Sequence, residues 1–169
     1  MQAIAVITHD DFEAALAAAR EVDTLTVGGG LAAPLGAGLG GRVDALWDRV
    51  EDALVQAYEW GKEKAQGALA EAIAETEDLL ASVGRQASSV HQAMMKRVTE
   101  YLTKLIDRAL ATVRPAVSVG NRTLELVGVE IAQTVSLSGS LKASITDLVN
   151  LTASGQLVVH ARYGPGAGG

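Results

Sequence analysis

The histidines and their acidic neighbours are the side chains in this sequence best suited to chemistry. His9 stands beside Asp10 and Asp11, an arrangement that would suit a hard-metal site or an acid–base pair. We favour a structural interpretation, because acidic side chains at a helix N-terminus interact favourably with the helix dipole. His91 has no acid or second histidine at i+4, and His160 lies on the polar side of a predicted strand. We therefore predict no catalytic residue and no metal ligand.

A glycine-rich segment carries the spacing of a dinucleotide-binding loop. Gly36, Gly38 and Gly41 satisfy GxGxxG and precede a predicted helix. The motif requires a strand directly before its first glycine, so that the pyrophosphate meets the helix N-terminus. Here the preceding strand is predicted to end near Val27, well before Gly36. The lysine of a P-loop is also missing, so we predict no cofactor.

The remaining signatures of enzymes are absent or weak. The chain has no cysteine, which excludes disulfides, thiolate zinc sites, iron–sulfur clusters and a cysteine nucleophile. It has no GxSxG motif. The adjacent acids Glu51-Asp52 and Glu77-Asp78 lie on charge-rich predicted helices, where solvated faces are the ordinary interpretation. We expect a protein that is not an enzyme.

The charge balance bears on the partners. Twenty acids against 14 bases give a formal net charge of −6, which does not favour nucleic-acid binding. Lys96, Arg97, Lys104 and Arg108 form a basic cluster that could contact phosphate. We favour the alternative that this cluster complements an acidic helix of the same chain. We predict no nucleic-acid partner.

The elements that position these residues fall into segments of different periodicity along the 169 residues. Residues 1–27 predict a small β-α-β unit, with a strand at 2–7, a helix at 10–22 and a strand at 23–27. Residues 28–41 predict a glycine-rich linker.

Residues 42–114 predict two long amphipathic helices that break near Gly84. The first begins with apolar side chains at a strict 4-3-4-3 spacing and continues through a weaker, alanine-rich seam that includes Gly61. The second is predicted to end before Pro115. Residues 42–85 hold ten acids and five bases, and residues 86–114 hold two acids and five bases. These opposite charges favour a fold-back into an antiparallel, coiled-coil-like hairpin over one uninterrupted helix, although both remain open.

The C-terminal third is predicted to be β-rich over residues 115–163. From Val127 onward, apolar residues at odd positions alternate with Ser and Thr, which predicts strands with one buried face. Residues 144–153 are ambiguous, because Ser144 and Asp147 have the spacing of a capping box, and we expect a short helix or turn there. Residues 164–169 predict a flexible tail. The fold class is therefore α+β, a long helical hairpin with a small, mostly antiparallel sheet formed largely by the C-terminal third.

This architecture predicts an assembly or adaptor protein that self-associates or binds partner helices. Its partners would be further copies of the chain or a helical protein. The candidate interface consists of apolar residues that lie away from the main helical seam or on the predicted sheet: Trp60, Met95, Ile106, Leu110, Val129 and Ile131. The alternative is a membrane-active or pore-forming protein that uses the 24–41 loop or the amphipathic β segment 127–163.

The two termini bear on location and modification. The N-terminal residues lack the basic region of a secretory signal, so we expect a cytoplasmic protein, and the alanine-rich composition fits a bacterial one. Gly168-Gly169 resembles the terminal diglycine of ubiquitin-like modifiers. That resemblance covers two residues of a glycine-rich tail, and long helices do not suit a compact modifier. Whether this terminus is functional stays open.

Overall fold

The computed structural model describes residues 2–22, 39–131, 135 and 139–165. Within these ranges the chain forms an α+β fold, as predicted, with five α-helices and one four-stranded antiparallel sheet. The helices are α1 (His9–Arg20), α2 (Leu39–Trp60), α3 (Lys62–Ser82), α4 (Ala87–Leu110) and α5 (Leu141–Ser154). The strands are β1 (Gln2–Val6), β2 (Ala116–Val119), β3 (Arg122–Ile131) and β4 (Gln156–Pro165).

The sheet combines the N-terminal strand with three strands from the C-terminal third. The strand order is β1-β4-β3-β2, so β1 and β2 lie at the two edges. Ile4 lies opposite Val158 in the β1–β4 pair, and Val129 lies opposite Ala161 in the β3–β4 pair. The register shifts between Leu126 and Gly128, where β3 carries a bulge.

Helix α1 begins with a reciprocal cap. The Thr8 side chain accepts a hydrogen bond from the Asp11 backbone N–H (3.2 Å), and Asp11 Oδ2 accepts one from the Thr8 N–H (3.1 Å). The strand predicted at 23–27 lies outside the described residues, as do residues 28–38 of the predicted linker. Residues 39–41, which were assigned to that linker, instead form the first residues of α2.

The predicted first long helix is two helices, because the chain breaks at Gly61. Gly61 has φ +91°, a backbone conformation that side chains other than glycine rarely adopt. The break lets α3 fold back along α2. In this contact, Nε of Arg49 on α2 lies 3.1 Å from Oε1 of Glu75 on α3. The tight helical turn therefore lies at Gly61, in the middle of the seam that the sequence predicted as continuous.

Two glycine substitutions in this hairpin should have opposite effects on stability. Gly61→Ala should lower the free energy of unfolding by about 1–3 kcal/mol, because alanine is strained at this φ although nothing obstructs its Cβ. Gly67→Ala is the matched control, since Gly67 lies exposed inside α3 and has equally open space around it. That change should raise stability by about 0.5–1 kcal/mol. Urea denaturation measures both, and the same sign at the two positions would contradict the turn at Gly61.

A second break separates α3 from α4. Helix α3 ends at Ser82, and a short 3-10 turn at Gly84–Gln86 leads into α4. Helix α4 packs mainly against α1 rather than along the acidic helix pair. Phe12 and Tyr101 meet edge to face at 6.4 Å in this contact.

Helix α5 replaces part of the β pattern predicted for the C-terminal third. Residues 141–145 continued the strand alternation in the sequence, but they form the start of α5. Its N-cap is Ser140, whose side chain accepts from the Ala143 N–H at 3.2 Å, rather than Ser144. The helix expected over 144–153 is therefore present and begins earlier. Strand β4 runs to Pro165, so residues 164 and 165 of the predicted tail are strand, and residues 166–169 lie outside the described residues.

The helices and the inner face of the sheet share one hydrophobic core. Helix α5 lies against α2, α3 and α4, and its Thr152 hydroxyl is fully buried. Thr152 donates to the Leu148 carbonyl (2.9 Å), so the Tyr101 hydroxyl donates to Thr152 Oγ1 (2.9 Å). Burial raises the pKa of Tyr101 strongly, and the hydrogen bond with Thr152 only partly opposes this. The Tyr101 hydroxyl thus serves as a neutral donor that ties α4 to α5.

Candidate interface

The helical members of the predicted interface do not form an exposed stripe. Trp60 is 69% exposed and ends α2, directly before the turn at Gly61. Met95, Ile106 and Leu110 are half-buried on α4, and Met95 and Leu110 pack against the core. Trp60 therefore stands apart on the surface, whereas the three α4 residues are only partly exposed.

The two predicted residues on the sheet also differ from each other. Val129 is exposed on β3, whereas Ile131 is half-buried and packs against the core. Both side chains lie on the face of the sheet that includes Ala161 and Val159, their partners on β4. Replacing Ile131 would therefore perturb the core as well as the surface.

Exposed large apolar side chains are concentrated on the sheet instead. Among the described residues, Trp60 is the one helical member of this class. The others lie on strands: Ile4, Val6, Val119, Val127 and Val129. Both large apolar residues on β1 are open, with Ile4 56% and Val6 66% exposed. The surface best suited to a partner is therefore a sheet surface.

The orientation of β1 explains why the sequence did not point to Ile4 and Val6. The segment QAIAVI is apolar on both faces, so its alternation does not say which face is buried. The structure places Ala5 and Ile7 in the core, opposite Leu157 and near Gly155, and leaves the larger pair outward. The sequence feature that could have pointed to Ile4 and Val6 as interface residues is the absence of charge from this predicted strand.

The backbone of β1 has a defined free edge. The Ile7 N–H donates to the Gly155 carbonyl at 2.8 Å, which directs Ile7 toward the β4 side. The Tyr58 hydroxyl donates to the Ile7 carbonyl at 2.9 Å and anchors this end of the strand to α2. Backbone groups alternate sides along an antiparallel strand, so Gln2, Ile4 and Val6 direct their N–H and C=O groups away from β4. In the part of the chain that the structure describes, no strand pairs with this edge.

The two edges of the sheet differ in their protection against pairing. Natural edge strands commonly carry charges, proline or bulges that discourage contact with another chain. Strand β1 has none of these in its five residues. Strand β2 has four residues, follows Pro115 directly, and turns at Gly120 into Arg122. The β1 edge is therefore the more open to a further strand.

The charges of the outer sheet face lie on the β3–β4 side. Glu130 stands opposite His160 in the strand register. Arg162 passes over Gly128, where an added Cβ would come within 2.7 Å of its Nη2 atom. Gly128 is thus required for the close approach of this guanidinium. Strand β1 carries no charged side chain, so a second strand that approaches its edge meets no charge from β1.

Asp11, two residues after His9, has a structural role. Asp11 Oδ1 accepts from Arg108 Nε at 2.8 Å, in addition to its part in the Thr8 cap. Burial on its own would raise the pKa of Asp11, but the hydrogen bonds from Arg108 and Thr8 outweigh it and lower the pKa. Its contribution to stability is thus present when the carboxyl is ionised and is lost as the pH falls through the lowered pKa. No group of three histidine, aspartate or glutamate side chains within the described ranges could hold a metal ion.

Two members of the basic cluster are engaged inside the fold. Arg97 is buried and pairs with Asp44 of α2. Arg108 pairs with Asp11 of α1. These contacts agree with the interpretation that the basic helix complements acidic residues of the same chain.

Membrane-spanning helices and similarity to known proteins would also bear on function. No helix in the described part of the chain is both long and apolar enough to cross a membrane. Comparisons of this chain with protein-family models, with curated proteins and with solved structures gave no match.

Proposed function

We propose that this protein is a non-enzymatic assembly protein that self-associates by pairing β1 with β1 of a second copy. The observation that carries the proposal is the open, uncharged edge of β1, which holds two exposed apolar side chains, Ile4 and Val6. An unpaired strand edge is a template for pairing with another chain. The proposed partner surface is on the sheet rather than on α4, because Met95 and Leu110 of α4 pack against the core.

The β1 sequence is suited to antiparallel pairing with itself. A two-fold axis at Ile4 places Ile4 opposite its own copy and Gln2 opposite Val6 of the second copy. In this register the outward backbone groups of the three residues face one another, and the larger side chains of both strands share one face. Such an isologous contact closes on itself and yields a dimer.

The size of this contact predicts its strength. A ladder of five residues on each side buries less than the roughly 1,000 Å² expected of a stable interface. The outer face at Ile4 and Val6 adds apolar area next to the ladder. We therefore propose a reversible dimer that forms with rising concentration. A cytoplasmic location belongs to the same proposal, and cell fractionation tests it.

A helical partner is a second candidate, favoured by the 69% exposure of Trp60. It would dock near the turn between α2 and α3, remote in sequence from β1. The membrane alternative receives no such support. Residues 141–154, the middle of the proposed 127–163 segment, form α5, and most of the 24–41 loop lies outside the described residues.

The concentration dependence of the mass tests the dimer. Light scattering over a hundredfold range should show the 17.5 kDa chain moving toward twice that mass. Ile4→Lys with Val6→Lys should abolish the increase without unfolding the protein, because both side chains are exposed. Val119→Lys with Val127→Lys is the matched control on the same sheet, and it should leave the increase intact. A monomeric mass at every concentration would overturn self-association. If only Trp60→Ala abolished the increase in mass, the interface would lie on the helices instead of on β1.

Cross-linking tests the register, and the absence of native cysteine makes it specific. The Cα atoms of directly opposed residues lie about 5.5 Å apart, within the range that a disulfide spans. Ile4→Cys should therefore give a covalent dimer under mild oxidation. Val119→Cys, a similarly exposed residue on the other edge, should not. Equal cross-linking at both positions would contradict pairing through β1.

A further inference from the structure

A cavity of about 370 Å³ lies between the inner face of the sheet and the segment that leaves α4. This volume falls within the range of small-molecule sites. Ala5, Val159 and Ala161 are buried on its floor, whereas Ala3 and Arg114 are exposed where it reaches the surface. The cavity thus has a closed apolar end and an open end.

Small side chains create the space in this cavity. Ala3 and Ala5 of β1 and Ala161 of β4 line it, and each faces the same side of the sheet. Most positions of a protein interior are filled by larger apolar side chains that pack without voids of this size. Larger residues at these three positions would close the space, so the alanines make it available to an apolar group.

The polar groups of the lining are largely committed to the fold. The Tyr163 hydroxyl donates to the Arg114 carbonyl at 2.8 Å and holds this segment to the sheet. The Thr112 hydroxyl donates to the Ala109 carbonyl at 2.7 Å. Arg114 carries the one charge among the described residues that line the cavity. In the part of the chain that the structure describes, no carboxylate lies within ion-pair distance of its guanidinium. The open end therefore favours an anion.

We infer that this cavity binds a medium-chain carboxylic acid. The alkyl chain lies on the alanine and valine floor, where it is removed from water. The carboxylate lies at the open end beside Arg114, whose planar guanidinium suits a carboxylate. Ile4 of the proposed dimer contact also lines the cavity. The inference does not rest on self-association, because the variants that test it are at Arg114, Ala161 and Ala3 and leave Ile4 and Val6 in place.

Calorimetric titration with octanoate tests the site, with 1-octanol as the uncharged probe of the same length. Octanoate should bind saturably with one site per chain. Arg114→Gln should weaken octanoate by about tenfold, the loss of one charge-assisted hydrogen bond, and leave 1-octanol unchanged. Arg122→Gln, an exposed arginine that does not line the cavity, is the matched control and should change neither.

A filled cavity provides the second test. Ala161→Leu should abolish the binding of both probes. If this variant does not fold, Ala3→Leu replaces it, because it fills the cavity from the exposed end and should have the same effect. Circular dichroism verifies folding of each variant. No saturable octanoate binding by the unmodified protein, or unchanged binding by a folded Leu variant, would overturn the site. Equal weakening of octanoate and 1-octanol by Arg114→Gln would overturn the carboxylate.

Discussion

Replacing Leu105 by alanine should lower the free energy of unfolding by about 2–5 kcal/mol. Leu105 lies on α4 in the shared core and is 2% exposed. The change removes buried apolar atoms and leaves a space that the surrounding helices fill only in part. Urea denaturation followed by circular dichroism measures the loss.

Two substitutions serve as controls for Leu105. Leu102→Ala acts on the same helix three residues earlier, but its side chain is half-buried at the margin of the core, so the loss should be clearly smaller. Glu71→Ala removes an exposed side chain that lies 3.9 Å from Arg49 at the surface. Such a pair contributes about 1 kcal/mol or less. A loss at Glu71 as large as the loss at Leu105 would contradict the assignment of the core face.

Replacing Glu51 by alanine should lower the free energy of unfolding by about 2–4 kcal/mol, because its buried carboxylate accepts hydrogen bonds from two side chains. Arg20 of α1 donates to it through Nε (2.7 Å) and Nη2 (2.8 Å). The buried Trp47 indole N–H donates to Glu51 Oε1 at 2.9 Å. Without the carboxylate, that indole has lost its acceptor in the core. Arg20 is 57% exposed and becomes hydrated, which keeps the cost below that of a fully buried ion pair.

The conservative substitution Glu51→Gln separates the contribution of the Trp47 hydrogen bond from that of the charge facing Arg20. Glu51→Gln keeps an oxygen that accepts from Trp47 and loses the charge that faces Arg20, so it should destabilise less than Glu51→Ala. The chain has two tryptophans, and Trp60→Phe removes the exposed one, so the fluorescence of Trp47 then reports on the core. Unfolding followed by this signal gives both losses. Similar and small losses for the two variants would show that Glu51 is not the link between α1 and α2.

Local signals in the sequence determined the parts of the fold that depend on neighbouring residues. The sequence predicted a helix at 10–22, close to α1 (His9–Arg20), because a helix start depends on residues only a few positions apart. The short, apolar and partly β-branched composition of residues 2–7 predicted β1, and the 4-3-4-3 spacing of apolar residues from Val43 predicted α2. Each of these patterns is complete within one element.

Only the tertiary structure decided which of two equivalent local signals prevails. Gly61 and Gly67 are the same residue six positions apart, yet one turns the chain and the other continues a helix. The packing of α3 along α2 makes that choice. Residues 141–145 fit both a strand period and a helix period. The space between α2, α3 and α4 accepts the helix, since it buries Leu141 and Ile145 together.

The candidate interface separates the two kinds of information most clearly. The sequence identified β1 as a strand and left both of its faces apolar. Its pairing with β4, more than 150 residues later, put Ala5 in the core and Ile4 at the surface. The same packing covered Met95 and Leu110, which the helical spacing alone had left outside the seam. Exposure is a property of what packs against a residue, so the sequence determined that β1 is a strand, and only the assembled fold decided which of its faces stayed open.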